Sequence, residues 1–178
     1  DKRKFDAKTA AILGFSLFGS SHHYLVKDKK IDYKSLNRFL EKYSNNTFFV
    51  FGFTSYVYEF LIKTIDSKYL RYNFSNGILI HGGGWKKMEK IKISNKIFKK
   101  KLKNKLELKN IFNYYGLIEQ TGSIFFECKE CGCFVTSRHS DVLIRDKNFK
   151  ILDNNKVGFI QLLSLLPKSY PGHSILTE

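Results

Sequence analysis

Apolar positions change their spacing along this chain, and the changes mark out its elements. From Phe5 to Phe18 an Ala-rich apolar stretch ends in Gly19-Ser20-Ser21, which predicts a helix and then a loop. Tyr24-Leu25-Val26 predicts a short strand. Asp32 suits the N-cap of a helix that sets Tyr33, Leu36, Phe39, Leu40 and Tyr43 on one face. Thr47 to Phe53 is continuously apolar around one glycine, the pattern of a strand covered on both sides. Thr54 or Ser55 then caps a helix with Tyr56, Val57, Phe60, Leu61 and Ile65 turned inward. Ile78-Leu79-Ile80 predicts a short buried strand that runs into His81-Gly82-Gly83-Gly84-Trp85-Lys86. Ser94 caps a basic helix with Ile97, Phe98, Leu102 and Leu106 inward, and Ile111-Phe112 opens the next strand.

Strands alternating with helices through short loops predict a parallel sheet with flanking helices and right-handed crossovers. After Gly122 the texture changes. Ser123 to Glu127, Cys133 to Thr136, Asp141 to Arg145 and Val157 to Leu163 are short β-type runs, broken by polar turns such as Asp153-Asn154-Asn155. The fold class is therefore α/β, a parallel sheet with helices followed by a smaller β-rich subdomain. The expected boundary gives an α/β nucleotide-binding part over 1–122 and a β-rich part over 123–178.

Composition narrows the class. The chain has 178 residues, 43% hydrophobic and 16% aromatic, which is a globular balance. No apolar run approaches the roughly 20 residues of a membrane span. It begins at Asp1 and stops at Thr177-Glu178 just after an apolar run, which reads as a piece of a longer protein. The net charge is +15, with 31 Lys+Arg against 16 Asp+Glu, and one dense lysine cluster runs from Lys96 to Lys109. Arginine, the usual reader of bases and phosphate forks, is scarce, so nucleic acid is not the expected partner. The three cysteines, Cys128, Cys131 and Cys133, are clustered and odd in number. That is a poor disulfide framework and points to a reducing cytoplasm.

Two stretches offer chemistry. Asn113-Tyr114-Tyr115-Gly116-Leu117-Ile118-Glu119-Gln120-Thr121-Gly122 follows a buried strand, where α/β sheets collect ligands. An aromatic there could stack on a purine, the glycine could admit a phosphate chain, and Glu119 could hold Mg²⁺ through oxygen. Alone, the same residues read more simply as a strand and a turn with an incidental acid. Gly82-Gly83-Gly84 ends another buried strand and exposes bare backbone to a base or phosphate. It lacks the lysine and Ser/Thr offsets of a P-loop, and by itself serves equally as a flexible turn. One helix and one strand separate the two stretches, so they are expected to end on neighbouring strands.

Phe51-Gly52-Phe53-Thr54, HGGGWKK (His81 to Lys87), YYGLIEQTGSIFFEC (Tyr114 to Cys128), SDVLIRD (Ser140 to Asp146) and LLSLLPKSYPGHSILTE (Leu162 to Glu178) together resemble the LuxE-type acyl-protein synthetases. These are similar to the wider adenylate-forming superfamily. The resemblance implies part of an adenylate-forming large domain that uses ATP and Mg²⁺ to convert a fatty acid into an acyl-adenylate. The acyl group would then pass to a protein thiol and on to a partner acyl reductase that supplies aldehyde for luminescence.

By resemblance, Tyr115 and Gly116 lie at the adenine, Gly83 and Gly84 form its wall, and Glu119 is the catalytic residue, through ligation of Mg²⁺. Phe53, Thr54 and His81 would face the acyl tunnel or the carboxylate. Ile118 departs from the superfamily's usual threonine and removes a phosphate contact. The phosphate loop is expected before Asp1, and the ribose-binding acid and a mobile domain with the catalytic lysine after Glu178. This chain alone is expected to be inactive. Rivals are a related ligase for an aryl acid or a surface-sugar substituent, forming a CoA thioester or amide, and a basic zinc-stabilised nucleic-acid module.

Cys128-x2-Cys131-Gly-Cys133 with His139 has zinc-knuckle spacing and reads as a structural Zn²⁺ site or as a reduced hairpin with incidental thiols. His22 and His23 precede a strand and either border the acyl site or lie in a solvated turn, while His173 falls near the expected ribose side.

Overall fold

The computed structural model describes residues 7–117, 119–168 and 172–177. It divides into two compact units, Asp1–Asn113 and Tyr114–Glu178. The division falls inside a strand, ahead of the Gly122 boundary that the change in apolar spacing suggests.

In unit 1, α1 (Ala7–Ser16) precedes a two-residue hairpin, β1 (Val26–Lys27) with β2 (Lys30–Ile31), in the register Val26↔Ile31. Its turn residues Asp28 and Lys29 both have positive φ, 48° and 59°, as a two-residue hairpin turn of the favoured hand requires. The Tyr24–Val26 run is thus mostly loop. Next comes α2 (Tyr33–Tyr43), whose N-cap Asp32 accepts the Ser35 N–H at 3.0 Å. Leu36 and Leu40 form its buried stripe.

Strand β3 (Phe48–Phe53) is parallel to β4 (Gly77–Gly82), paired from Phe48↔Gly77 to Phe53↔Gly82. Side chains alternate across β3. Phe49 and Phe51 meet Phe15 of α1, with centroids 6.0 and 4.2 Å apart, while Phe48 meets Phe39 of α2 and Phe74. Both faces are covered, which is why the strand is apolar without alternation.

After β3 the chain turns into α3 (Thr54–Tyr56) and continues as a π-helix over Val57–Thr64. The Ile65 N–H reaches back to Phe60 O at 2.8 Å, and Lys105 Nζ donates to Ile62 O at 2.6 Å. Three expectations are corrected here. Tyr56, expected inward, is 48% exposed. Neither Thr54 nor Ser55 caps this helix: Phe53 is the N-cap, and no side chain caps it. The Thr54 hydroxyl is used elsewhere. In α4 (Asn95–Leu106), Ser94 does cap, accepting the Ile97 N–H at 3.3 Å, and Phe98, Leu102 and Leu106 are buried. Ile97, however, points outward and is 47% exposed. One continuous apolar core joins α2, β3, the π-helix, β4 and α4, and β5 (Asn110–Gly116) leaves it through Ile111.

Unit 2 is antiparallel throughout. The end of β5 pairs with β6 (Ile124–Glu127) through Tyr114↔Phe126, Tyr115↔Phe125 and Gly116↔Ile124. Strand β6 pairs with β7 (Phe134–Val135). A second sheet has the order β10-β9-β8, with β8 (Ser140–Arg145), β9 (Phe159–Ser164) and β10 (Ser174–Leu176). The chain is thus mixed α/β with a smaller β-rich part, and no described helix is long and apolar enough to cross a membrane.

Candidate functional site

The carboxyl ends of β3 and β4 carry the first set of residues. Register places Gly52 opposite His81 and Phe53 opposite Gly82, so Thr54, one step on, sits beside the end of β4. Thr54 and His81 are both buried. The Thr54 hydroxyl donates to Gly82 O at 3.1 Å and lies 3.0 Å from His81 Nδ1. A hydroxyl has one proton to give, so Nδ1 carries its own proton and donates it to Thr54. Phe98 packs on the imidazole at 4.6 Å. Phe53, Thr54 and His81 therefore come together as a fixed cluster, and the latter two act first as anchors of the strand ends.

The loop that follows is shaped by missing side chains. Gly83 and Gly84 adopt φ of 73° and 67°, a region that disfavours residues with Cβ. A Cβ on Gly83 would stand 2.7 Å from Phe53 Cδ1, whereas one on Gly84 meets nothing within 4 Å. Lys86, also at positive φ, holds its ammonium 5.5 Å from the centre of the Phe53 ring. The tip is bare backbone, exposed at Gly83 and Gly84, over an aromatic floor and beside a cation.

The second set lies in unit 2. Tyr115 is half-buried, and its ring runs nearly parallel to Phe125, its cross-strand partner, at 6.2 Å. Burial first, and the Glu119 carboxylate second, push its phenol above the ordinary value. Gly116 is exposed, and a Cβ there would stand 3.3 Å from Ser123 O, so the turn closes tightly behind it. Glu119 is exposed, and Ile118 lies outside the described residues. Gly83 and Gly84 belong to one unit, and Tyr115, Gly116 and Glu119 to the other.

Gln120 is the residue that sequence reasoning passed over. It is 2% exposed, and its amide donates to Leu162 O at 3.1 Å and Gly172 O at 2.5 Å while accepting the Ser123 hydroxyl. Ser164 Oγ donates to Thr121 O at 2.6 Å. A Cβ on Gly122, at φ 93°, would come within 2.8 Å of Ser164 Oγ and Leu166 Cδ1. These contacts fasten the turn after β5 to β9 and to the approach to β10. The signal was available as an amide among turn formers, but nothing in its spacing showed it buried.

The cysteines lie on the β6–β7 hairpin. Cys128 N–H donates to Cys133 O at 2.7 Å, and Gly132, at φ 73°, donates to Cys128 O at 3.0 Å. The Cys131 and Glu130 N–H groups, then the Cys131 side chain, lower the Cys128 thiol below its usual value. The backbone of His139 belongs to the next turn: its N–H donates to Ser137 Oγ at 3.2 Å and its carbonyl accepts from the Leu165 N–H at 2.8 Å. Among the described residues no three His, Cys, Asp or Glu side chains are grouped to hold a metal ion, so the proposed zinc set is not assembled. Magnesium asks less, since it binds through one or two carboxylates plus substrate phosphates and water, and exposed Glu119 fits that role.

The remaining histidines hold local structure. His22 Nε2 lies 2.8 Å from Ser16 O. His23 stacks on Phe39 at 5.5 Å, and burial lowers its pKa against the opposing pull of Asp32. His173 Nδ1 lies 3.3 Å from Ser164 O.

Comparison with known proteins bears on the family and the fold. Residues 2–178 match the family described as acyl-protein synthetase, LuxE. No curated protein matches the chain. Among solved structures, the luciferase-like enzyme of the nonluminescent mealworm Zophobas morio superposes with a TM-score of 0.57 at 19% identity, covering 89% of this chain and 36% of that one. Apo MatB from Rhodopseudomonas palustris gives 0.50 at 12%, covering 76% and 25%. A variant of the amide bond synthetase McbA from Marinactinospora thermotolerans gives 0.51 at 15%, covering 76% and 27%. At these identities the likeness is one of fold alone, and the chain spans about a quarter to a third of their length.

Proposed function

We propose, from the premise that the chain belongs to the LuxE acyl-protein synthetase family, that it forms part of a ligase activating a carboxylic acid as its acyl-adenylate. In that reaction a carboxylate oxygen attacks the α-phosphorus of ATP and pyrophosphate leaves. Such chemistry asks a protein mainly for positioning and charge neutralisation. The observation that carries the reading is the loop after β4. Gly83 is held at positive φ with Phe53 where its Cβ would be, so only backbone can stand at the strand's carboxyl end.

The roles follow the parts. Gly83 and Gly84 offer a wall for adenine, Tyr115 stacks on it, and Gly116 lets the nucleotide approach. Glu119 would hold Mg²⁺, which when bound offsets phosphate charge. Phe53 presents an apolar surface to the acyl group, and the Thr54–His81 pair keeps the strand ends beneath it in register. A fatty acid is the proposed substrate, a protein thiol the acceptor, an acyl reductase the partner, and the cytoplasm the compartment.

The test is ATP–pyrophosphate exchange by the protein that carries this chain, across fatty, aryl and other carboxylic acids. Long-chain fatty acids should support exchange, and Glu119→Gln should reduce it by on the order of a hundredfold. Exchange with aryl acids alone would reassign the substrate. An unchanged Glu119→Gln rate would remove that residue from the site, and no exchange with any acid would overturn the ligase reading.

A further inference from the structure

The site above makes no use of most of the lysines, and their distribution is uneven. Residues 86–109 hold eleven lysines and two glutamates, so this short stretch supplies more than half of the net charge of +15. Lys86, Lys90, Lys92, Lys96, Lys100, Lys101, Lys103 and Lys109 are all exposed. The two acids are engaged: Glu89 pairs with Lys92 at 2.7 Å, and Glu107 accepts the Asn73 amide at 2.9 Å. On α4, burial of Phe98, Leu102 and Leu106 turns Lys96, Lys100 and Lys103 to solvent at i, i+4 and i+7. Like charges at that spacing weaken a helix. No acid on α4 relieves them, so the stripe works against the fold that presents it.

We infer that this lysine face, α4 with the turn before it, is a docking surface for an anionic lipid headgroup layer. The choice of partner rests on what accompanies the charge. No arginine occurs in 86–109, so the planar fork that reads base edges and phosphate pairs is missing. The exposed positions of α4 are lysines, asparagines and Ile97, with no aromatic ring on which a base could stack. Protein interfaces favour Arg and aromatic residues and are depleted in Lys. A fluid array of anionic headgroups needs neither fork nor ring, only point charges on flexible stems. Two isoleucines stand among the lysines, Ile91 at 42% and Ile97 at 47% exposed, and can enter the boundary between headgroup and acyl chain. This surface does not depend on the ligase reading.

Vesicle co-sedimentation of the whole chain tests it, using phosphatidylcholine alone and phosphatidylcholine mixed with phosphatidylglycerol. Binding should occur only to the mixed vesicles, at about 0.05 M salt, and be lost at about 0.5 M. Each lysine near such a surface contributes roughly fivefold, so Lys96→Glu/Lys100→Glu/Lys103→Glu should weaken binding by at least a hundredfold. The same charge change at Lys27, Lys29 and Lys30, exposed residues of the β1–β2 hairpin, should leave binding nearly unaltered. The three α4 lysines changed to Gln, which keeps the helix, should give an intermediate loss with an unchanged far-ultraviolet circular dichroism spectrum. Equal loss in the hairpin variant would show net charge at work and overturn the proposal. So would equal binding to neutral vesicles, no binding at all, or tighter binding to a nucleic-acid duplex than to the anionic vesicles.

Discussion

In unit 1 the loop after β4 stands on fourteen buried apolar side chains that pack as one core. In unit 2 the turn after β5 stands on a buried amide and hydroxyls, Gln120, Ser123 and Ser164, with Phe125 and Leu162 as the buried apolar residues among those described. The two loops are held by different physics. Apolar packing is non-directional and spreads a defect over many neighbours. A buried amide is directional: its benefit is modest while its partners are present, but losing it strands carbonyls that water cannot reach. The Gly83–Gly84 tip of unit 1 can therefore be fixed while presenting no side chain. The turn of unit 2 is fixed by one side chain pointing away from its exposed Glu119.

Replacing Gln120 with Leu should break this contrast most sharply. It leaves Leu162 O and Gly172 O without their donor, at a cost of about 3 kcal/mol. Hydrogen exchange followed by mass spectrometry should show protection lost at residues 120–123 and 172–174 while β3 and β4 keep theirs. Equal loss in both units would refute the division. Gly83→Ala comes next, because strain at positive φ adds to displacement of the Phe53 ring, together about 2 kcal/mol. Gly84→Ala carries the strain alone, about 1 kcal/mol, and the gap between the two in urea denaturation isolates the ring contact.

Thr54→Val should cost about 1 kcal/mol by removing the bridge from His81 to Gly82 O, and the imidazole resonances should shift in NMR. The smallest effect is expected from Glu119→Gln, which leaves stability near neutral pH unchanged. Its mark is on Tyr115, whose raised pKa contributes stability below the phenol's ordinary value that is lost as pH rises through the folded one. Without the neighbouring carboxylate the folded value falls, so that alkaline window closes from its upper end. Titration of ring-labelled tyrosine in both proteins measures it, and an unmoved Tyr115 would separate the two side chains.

Much of unit 1 was legible because its signals are local. Asp32 and Ser94 are caps with apolar stripes behind them, and Phe48–Phe53 is a run that only a doubly covered strand explains. The misses arise where sequence under-determines geometry. Thr54 looks like a cap, but its hydroxyl serves a neighbouring strand, which spacing along one chain segment cannot reveal. Ile97 is apolar and adjacent to the buried stripe, yet falls on its outer side. At the end of β5 and in the turn after it, Tyr115 and Glu119 stood out as candidate residues, whereas Gln120 was not visible as structure. Its partners, Leu162 and Gly172, are about forty and fifty residues away in the chain. The Cys-x2-Cys-Gly-Cys spacing does fall on a tight hairpin, but among the described residues no three ligand side chains are grouped there to hold a metal ion.

The helix over Val57–Thr64 closes each hydrogen-bonded ring across five residues, where an α-helix uses four. It therefore carries more chain than an ordinary ladder needs to cover the same distance. That excess is slack between the Thr54 anchor and Ile65. Removing one residue there leaves the backbone a regular α-helix to adopt, whereas the same deletion in α4 would rotate Phe98, Leu102 and Leu106 off their common side. Length changes in this region of the protein are best absorbed in that wide helix.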